Sequence, residues 1–377
     1  MVDCPVGLTL NMKCKELILK NVPSLMVVLI VAILAGGLAG VSMFFYWFNQ
    51  SMVDTPVFEG LEKGSDLNPG ILFASPKKVI VEQNDKITEV ANSTKSGLVG
   101  IFKIKTPRTK PAPLDQYYQL NRYDGQGLVI TSDGWLVSGL DIGKDKNTYI
   151  VITQDKQKLV IDQALADPTT NVFYYHVKAK DLPVKTFIDY TSVNSGDMVV
   201  AMNWRGETDV AEVLNVRQYN NPIGSTDRYN QRLILNHGLR ASSTAAVVSL
   251  SGEIVAIPDK NNILVSAIQL QGAVKSLVQS QKINRPKIAI QYINYQDVAE
   301  ISSLPNDLSS NQGAVILVKN DKAPFLLAGD IITQINGQYL GSNLDLNEVI
   351  QGMLPGDSAS VIYWRNKEQK TANLQIQ

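Results

Sequence analysis

Two histidines, His176 and His237, are the only imidazoles in a chain of 377 residues, and they limit what its serine hydroxyls can do. A hydroxyl is a weak nucleophile near neutral pH and needs an adjacent base to take its proton. Ser243 has the most suggestive setting, in "RASSTAAVVSLSGEIVAI" (Arg240–Ile257), where a loop of small residues precedes a strand, a turn and a second strand. His237 lies six residues before it and reaches it only if the intervening loop folds back. His176, in "NVFYYHV", shares a strand face with Val172 and Tyr174, which makes it a packing or surface residue. Arg240 is permanently charged and cannot act as the base. No lysine neighbours Ser243 in sequence to form a serine–lysine pair.

Other chemistries find no foothold, and no cofactor is expected. No His, Cys, Asp or Glu cluster has metal-ligand spacing. "GQG" at Gly125–Gly127 is not followed by a helix and is no phosphate loop. Lys and Arg total 35 against 35 Asp and Glu, so the basic surface that nucleic acid requires is missing. Both cysteines, Cys4 and Cys14, precede the most apolar stretch, so the chain beyond it has no disulfides.

The elements that must position these groups follow from the apolar pattern. Asn21 to Val53 contains no charged residue, and Val22–Phe48 is longer than the roughly 20 apolar residues that span a bilayer. A cleavable signal has an apolar region of only about 7–15 residues, so 22–48 reads as an uncleaved transmembrane helix closed by Tyr46 and Trp47. Lys13, Lys15 and Lys20 before it, and Asp54, Glu59 and Glu62 after it, place 1–21 in the cytoplasm and the bulk of the chain outside, periplasmic or at the cell surface. Ala32, Gly36 and Gly40 form a small-residue stripe suited to self-association in the bilayer. Residues 49–77 are turn-rich and read as a linker. A short amphipathic helix is expected within 78–97. From Gly127 to about Val274, short apolar runs recur between turn signals such as Asp133-Gly134 and Ser251-Gly252, the mark of an all-β barrel or sandwich. A helix over about 268–279 closes this domain, 78–282. "INRPK" marks a boundary, and 285–377 reads as a small α+β domain of five strands and one helix, Leu344 to Met353.

This outer part resembles the HtrA family of serine proteases, a trypsin-like double β-barrel followed by a PDZ domain. The likeness is carried by "GQGLVITSDGWLVS", "DPTTNVFYYHV", "VNSGDMVVAMNWRGE" and "VVSLSGEIVAI", and most strongly by "AGDIITQING" and "LPGD" near the C-terminus. The resemblance implies a mainly β fold with a C-terminal PDZ domain, and trimers through the protease domain. It places the catalytic histidine position on Asp141, the aspartate position on Asn171 and the nucleophile on Ser243. The glycine of the oxyanion turn falls on Ala241, within "ASSTA". A carboxylate with a reference pKa near 3.9 is a poor proton shuttle, an amide cannot stabilise a charged base, and a Cβ resists the oxyanion turn. The site therefore reads as degenerate and the chain as no enzyme.

By the same resemblance, the PDZ carboxylate loop and edge strand fall on Lys287, Ile288, Ala289 and Ile290, with Ala289 where the family has glycine. The helical wall of the groove falls on Leu346, Val349 and Ile350, continued by Met353. The expected partners are protein C-termini or unfolded segments, added as a strand to the sheet edge. The leading reading is a membrane-anchored, extracytoplasmic HtrA-like pseudoprotease that acts as scaffold, sensor or peptide binder. One alternative is an atypical serine endopeptidase using Ser243 in envelope protein quality control. A second is a purely structural protein of envelope assembly.

Overall fold

In a computed structural model, the described residues are 77–106, 114, 117–143, 145–219, 221–239, 244–297 and 312–377. The expected membrane helix at 22–48, the flank 1–21 and the linker up to residue 76 lie outside them. Among the described residues no helix is long and apolar enough to cross a membrane. Helix α1, Lys77–Lys95, is the amphipathic helix anticipated in this region. Its Ile87, Val90 and Ala91 share a face and pack on the core.

Six strands follow: β1 Leu98–Lys103, β2 Gly125–Val129, β3 Trp135–Ser138, β4 Tyr149–Ile152, β5 Lys158–Ala166 and β6 Phe173–Val177. They close a barrel in the order β1-β2-β3-β6-β5-β4. Side-chain alternation divides the strands between two cores. Val99, Ile101, Leu136 and Tyr175 fill the barrel. Leu98, Leu128, Val137 and Tyr174 point the other way, into a core shared with the next sheet. The Asp133-Gly134 signal is the β2–β3 turn. Gly134 has φ +123°, and a Cβ there would lie 2.0 Å from the Val177 carbonyl oxygen.

The second layer contains β7 Met198–Met202, β8 Thr208–Tyr219, β9 Ile223–Ser225, β10 Gln231–Leu235, β11 Ala246–Ser249, β12 Ile254–Pro258 and β13 Leu264–Ser266. All but β9 form a six-stranded sheet, β10-β8-β7-β11-β12-β13. Of the two barrels anticipated, the first is closed by its ladders, and the second is this sheet curled around Val199, Val213, Leu233 and Val255. Helix α2, Ala267–Ser280, starts at a capping box in which the Gln269 side chain accepts from Ser266 N–H at 3.1 Å. Its Leu270, Ala273 and Leu277 bury against the shared core.

The C-terminal part holds β14 Gln291–Asn294, β15 Ala314–Ile316, β16 Ile331–Ile335, β17 Gln338–Tyr339, helix α3 Leu346–Gln351, β18 Ser358–Arg365 and β19 Glu368–Gln375. The helix is shorter than the apolar spacing over 344–353 suggested, because Asp345 caps it in a box with Glu348. The sheet runs β19-β18-β16-β15-β14-β9, with β17 on β16. Its last member, β9, thus comes from the connection between β8 and β10 of the second layer. Across "INRPK" the chain stays within one compact unit, Ser75–Gln377. Arg285 within it is buried. Its guanidinium donates to the Asp167 carboxylate of the first barrel, to Gln269 O of α2 (2.9 Å) and to Gln351 O of α3 (3.2 Å).

Candidate functional site

Two places on the described residues are candidates for a site. The first is the cleft between the barrels, a cavity of about 460 Å³ lined by Gln126, Ser138 and Leu140 from one side and Thr244, Pro258 and Asp259 from the other. A second cavity, of about 370 Å³, is lined by Leu233, Leu235, His237, Leu239 and Leu264, and also reaches Thr244. Ser243 and Ala241, the nucleophile and oxyanion positions, lie outside the described residues.

Asp141 and Asn171, which the resemblance puts in the other two triad places, serve their own turns. Asp141 is exposed, and its Oδ1 accepts from Gly143 N–H at 2.8 Å. The loop around it is pinned by Tyr175, whose hydroxyl donates to Leu140 O and accepts from Ile142 N–H. Burial pushes the Tyr175 hydroxyl well above its ordinary range, so it stays a neutral anchor at physiological pH. Asn171 closes the "DPTTN" turn in the left-handed region, φ +57°, which asparagine tolerates better than most residues. Its N–H donates to Asp167 O at 2.9 Å and its carbonyl accepts from Lys260 N–H at 3.3 Å. The buried carboxylate of this turn belongs to Asp167, which accepts from Thr169 N–H, Thr170 Oγ1 and Arg285.

Both imidazoles are engaged by carboxylates. His176 Nδ1 is 2.7 Å from Asp162 Oδ1, and its ring meets Trp135 edge-on at 5.1 Å. It occupies the strand face its parity with Tyr174 gave. His237 Nε2 is 3.2 Å from Asp209 Oδ2, and its Nδ1 is 2.8 Å from Asn236 Oδ1. Among the described residues, no group of three His, Cys, Asp or Glu side chains is placed to hold a metal.

The second place is the edge of the C-terminal sheet. Ala289 has φ +59°, so the loop bends through the left-handed region that favours glycine. Successive N–H groups around such a bend form an anion-binding concavity. Here the N–H groups of Ile288 and Ala289 both donate to Asp227 Oδ1, at 2.7 and 2.5 Å. Lys287 is exposed, and its N–H donates to Gln377 O. Ile288 and Ile290 point into the domain core, as do Leu346, Val349 and Ile350 of α3. The apolar residues assigned to the groove wall therefore pack inward, because a six-residue helix on a small sheet must use that stripe to seal the core. The wall that faces the sheet edge is polar: Asn347, Glu348 and Gln351, all buried. No local signal singled these out. They sit between apolar positions, and four of their partners, Arg217, Thr226, Arg228 and Gln231, lie more than a hundred residues away.

Those partners belong to the segment around β9. Arg217 Nε donates to both Glu348 oxygens, at 3.1 and 3.0 Å, with side chains 5% and 0% exposed. Gln231 and Asn347 exchange amide hydrogen bonds at 2.8 and 3.0 Å. Tyr219 and Tyr292 hydroxyls and Asn294 Nδ2 all donate to the Asp345 carboxylate. Burial lifts the Glu348 carboxyl above its ordinary value, with Arg217 opposing.

A family model described as a PDZ domain matches residues 288–376. The C-terminal part is a PDZ domain, and the chain as a whole is similar to DegP-like serine endoproteases. A "Probable periplasmic serine endoprotease DegP-like" of Rhizobium meliloti (strain 1021) is 28% identical over 274 residues, covering 68% of this chain and 53% of that protein. Its counterpart in Brucella suis biovar 1 (strain 1330) is 25% identical over 275 residues, covering 67% and 52%. The one in Pseudomonas putida (strain GB-1) is 23% identical over 332 residues, covering 80% and 68%. The chain thus spans about half the length of the first two relatives. Among solved structures, "HtrA-type protease AlgW with decapeptide" aligns at a TM-score of 0.45 and 15% identity, over 77% of this chain and 98% of that one. A score this low adds nothing to the fold, which rests on the sheets described above.

Proposed function

We propose that this chain is an HtrA-type pseudoprotease, an extracytoplasmic protein held to the membrane by residues 22–48, which binds protein segments without cleaving them. The observation that carries this is the fate of the imidazoles: the two in the chain face Asp162 and Asp209, while Asp141, the residue that the resemblance puts in the histidine's place, caps its own turn. Without a group that takes the serine proton and returns it to the leaving amine, Ser243 stays a weak nucleophile. Losing even one oxyanion donor costs a factor of about 100–1,000. The periplasmic endoproteases among the relatives favour the extracytoplasmic location. Their names also favour a second reading, an endopeptidase that uses Ser243, and the apolar cavity beside Thr244 is suited to a substrate side chain. A fluorophosphonate probe separates the two readings. The pseudoprotease leaves Ser243 unlabelled, whereas labelling that disappears in Ser243→Ala establishes the endopeptidase.

A further inference from the structure

The connection between β8 and β10 leaves the second barrel, runs along the PDZ sheet and returns. Its strand β9 lies antiparallel to β14, with Ser225, Gly224 and Ile223 opposite Gln291, Tyr292 and Ile293. Thr226 extends the pairing: its N–H donates to Ile290 O at 3.1 Å and its Oγ1 accepts from Ile290 N–H at 3.0 Å. Asp227 then puts its carboxylate on the N–H groups of Ile288 and Ala289. From the opposite wall, Gln351 Nε2 donates to Thr226 O at 2.7 Å and Asn347 Nδ2 to Arg228 O at 3.0 Å. Thr226 is wholly buried, and Gly224 lies flat on the Tyr292 ring, where a Cβ would come within 2.7 Å of it. An extended strand added to a sheet edge beside a helix, ending in a carboxylate held by backbone N–H groups, is how a peptide C-terminus is captured.

We propose that residues 221–227 are an internal ligand of the PDZ groove. Asp227 stands in for a terminal carboxylate and Thr226 for the last side chain, and this segment excludes external peptides until it leaves. The proposal rests on reading β14 and α3 as the ligand groove. It also names the external partner that fits, an extended peptide ending in a small β-branched residue with a free carboxylate. A tethered occupant competes at high effective concentration, and apparent affinity falls in proportion to the fraction of open grooves. β9 leads on into β10, whose Leu233 and Leu235 line the apolar cavity of the second barrel.

The test uses the full chain and a fluorescent heptapeptide, Asn-Asn-Pro-Ile-Gly-Ser-Thr, which copies residues 220–226 with a free C-terminus, beside its C-terminal amide. Asp227→Ala removes the internal anion, and Gly224→Val drives the strand off Tyr292. Each variant is expected to bind the free acid at least about tenfold more tightly than the wild type, consistent with an open fraction below about one in ten. The amide should bind none of the three. Hydrogen exchange supplies an independent readout: the amides of Ile288, Ala289 and Ile290 should be protected in the wild type and exposed in Gly224→Val. Measurable binding of the free acid with equal affinity by wild type and variants, or fast exchange of these amides in the wild type, overturns the internal ligand. Slow wild-type exchange that speeds up in Gly224→Val, with no peptide bound by any form, upholds the internal ligand and instead removes C-terminal peptides as partners.

Discussion

Replacing Arg285 with methionine tests how the barrels and the PDZ domain are held as one body. Arg285 and Asp167 side chains are 4% and 0% exposed, so neither charge has water to fall back on. Burying such a pair brings little net stability, but removing one partner strands the other, at a cost of about 3–5 kcal/mol. Asp167 would keep only Thr169 N–H at 3.0 Å and Thr170 Oγ1 at 2.7 Å. The carbonyls of Gln269 and Gln351 would also lose a charged donor. Arg285→Met should therefore cost at least about 3 kcal/mol in urea unfolding followed by tryptophan fluorescence, with Trp135 and Trp204 as buried reporters. Asp167→Asn in the same background should restore part of the loss, giving a coupling of about 0.5–3 kcal/mol. A loss under about 1 kcal/mol, or strictly additive single and double variants, would refute the view that this pair is a buried clamp.

Three further outcomes follow from the same contacts. Gly272→Ala places a Cβ 1.9 Å from Gln351 O, so α2 and α3 must separate; the melting temperature should fall by the equivalent of about 1–3 kcal/mol or more. Burial holds the Glu348 carboxyl above its ordinary 4.5, so the folded state binds that proton more tightly than the unfolded chain. Its contribution is present below pH 4.5 and is lost as pH rises through the higher folded value; urea titrations across that window should show the wild type losing stability relative to Glu348→Gln. Asp141→Ala removes only an exposed turn cap, and calorimetry should find a change within about 1 kcal/mol.

Much of the fold was legible because its strands are locally periodic. "DIITQING" and "SASVIYW" alternate, and β16 and β18 lie there. The helix read over 268–279 is α2, Ala267–Ser280, since its apolar spacing and cap are both local features. What escaped depends on distant partners. "INRPK" has the composition of a linker, and nothing near Arg285 announces Asp167, 118 residues back. "IGS" has no strand period at all; its pairing is imposed by the open edge of β14. The N–H groups of Ile288 and Ala289 hold an anion, Asp227, that lies 61 and 62 residues back in another layer. The polar face of α3 was passed over because the apolar stripe beside it dominates the pattern.

The central claim is that this protease-like chain lacks the proton shuttle needed to cut a peptide bond. Incubating the purified protein with an unfolded protein such as casein, beside its Ser243→Ala variant, tests this most directly. The account predicts that both leave the substrate intact at the same background rate; cleavage by the wild type that vanishes in Ser243→Ala would contradict it.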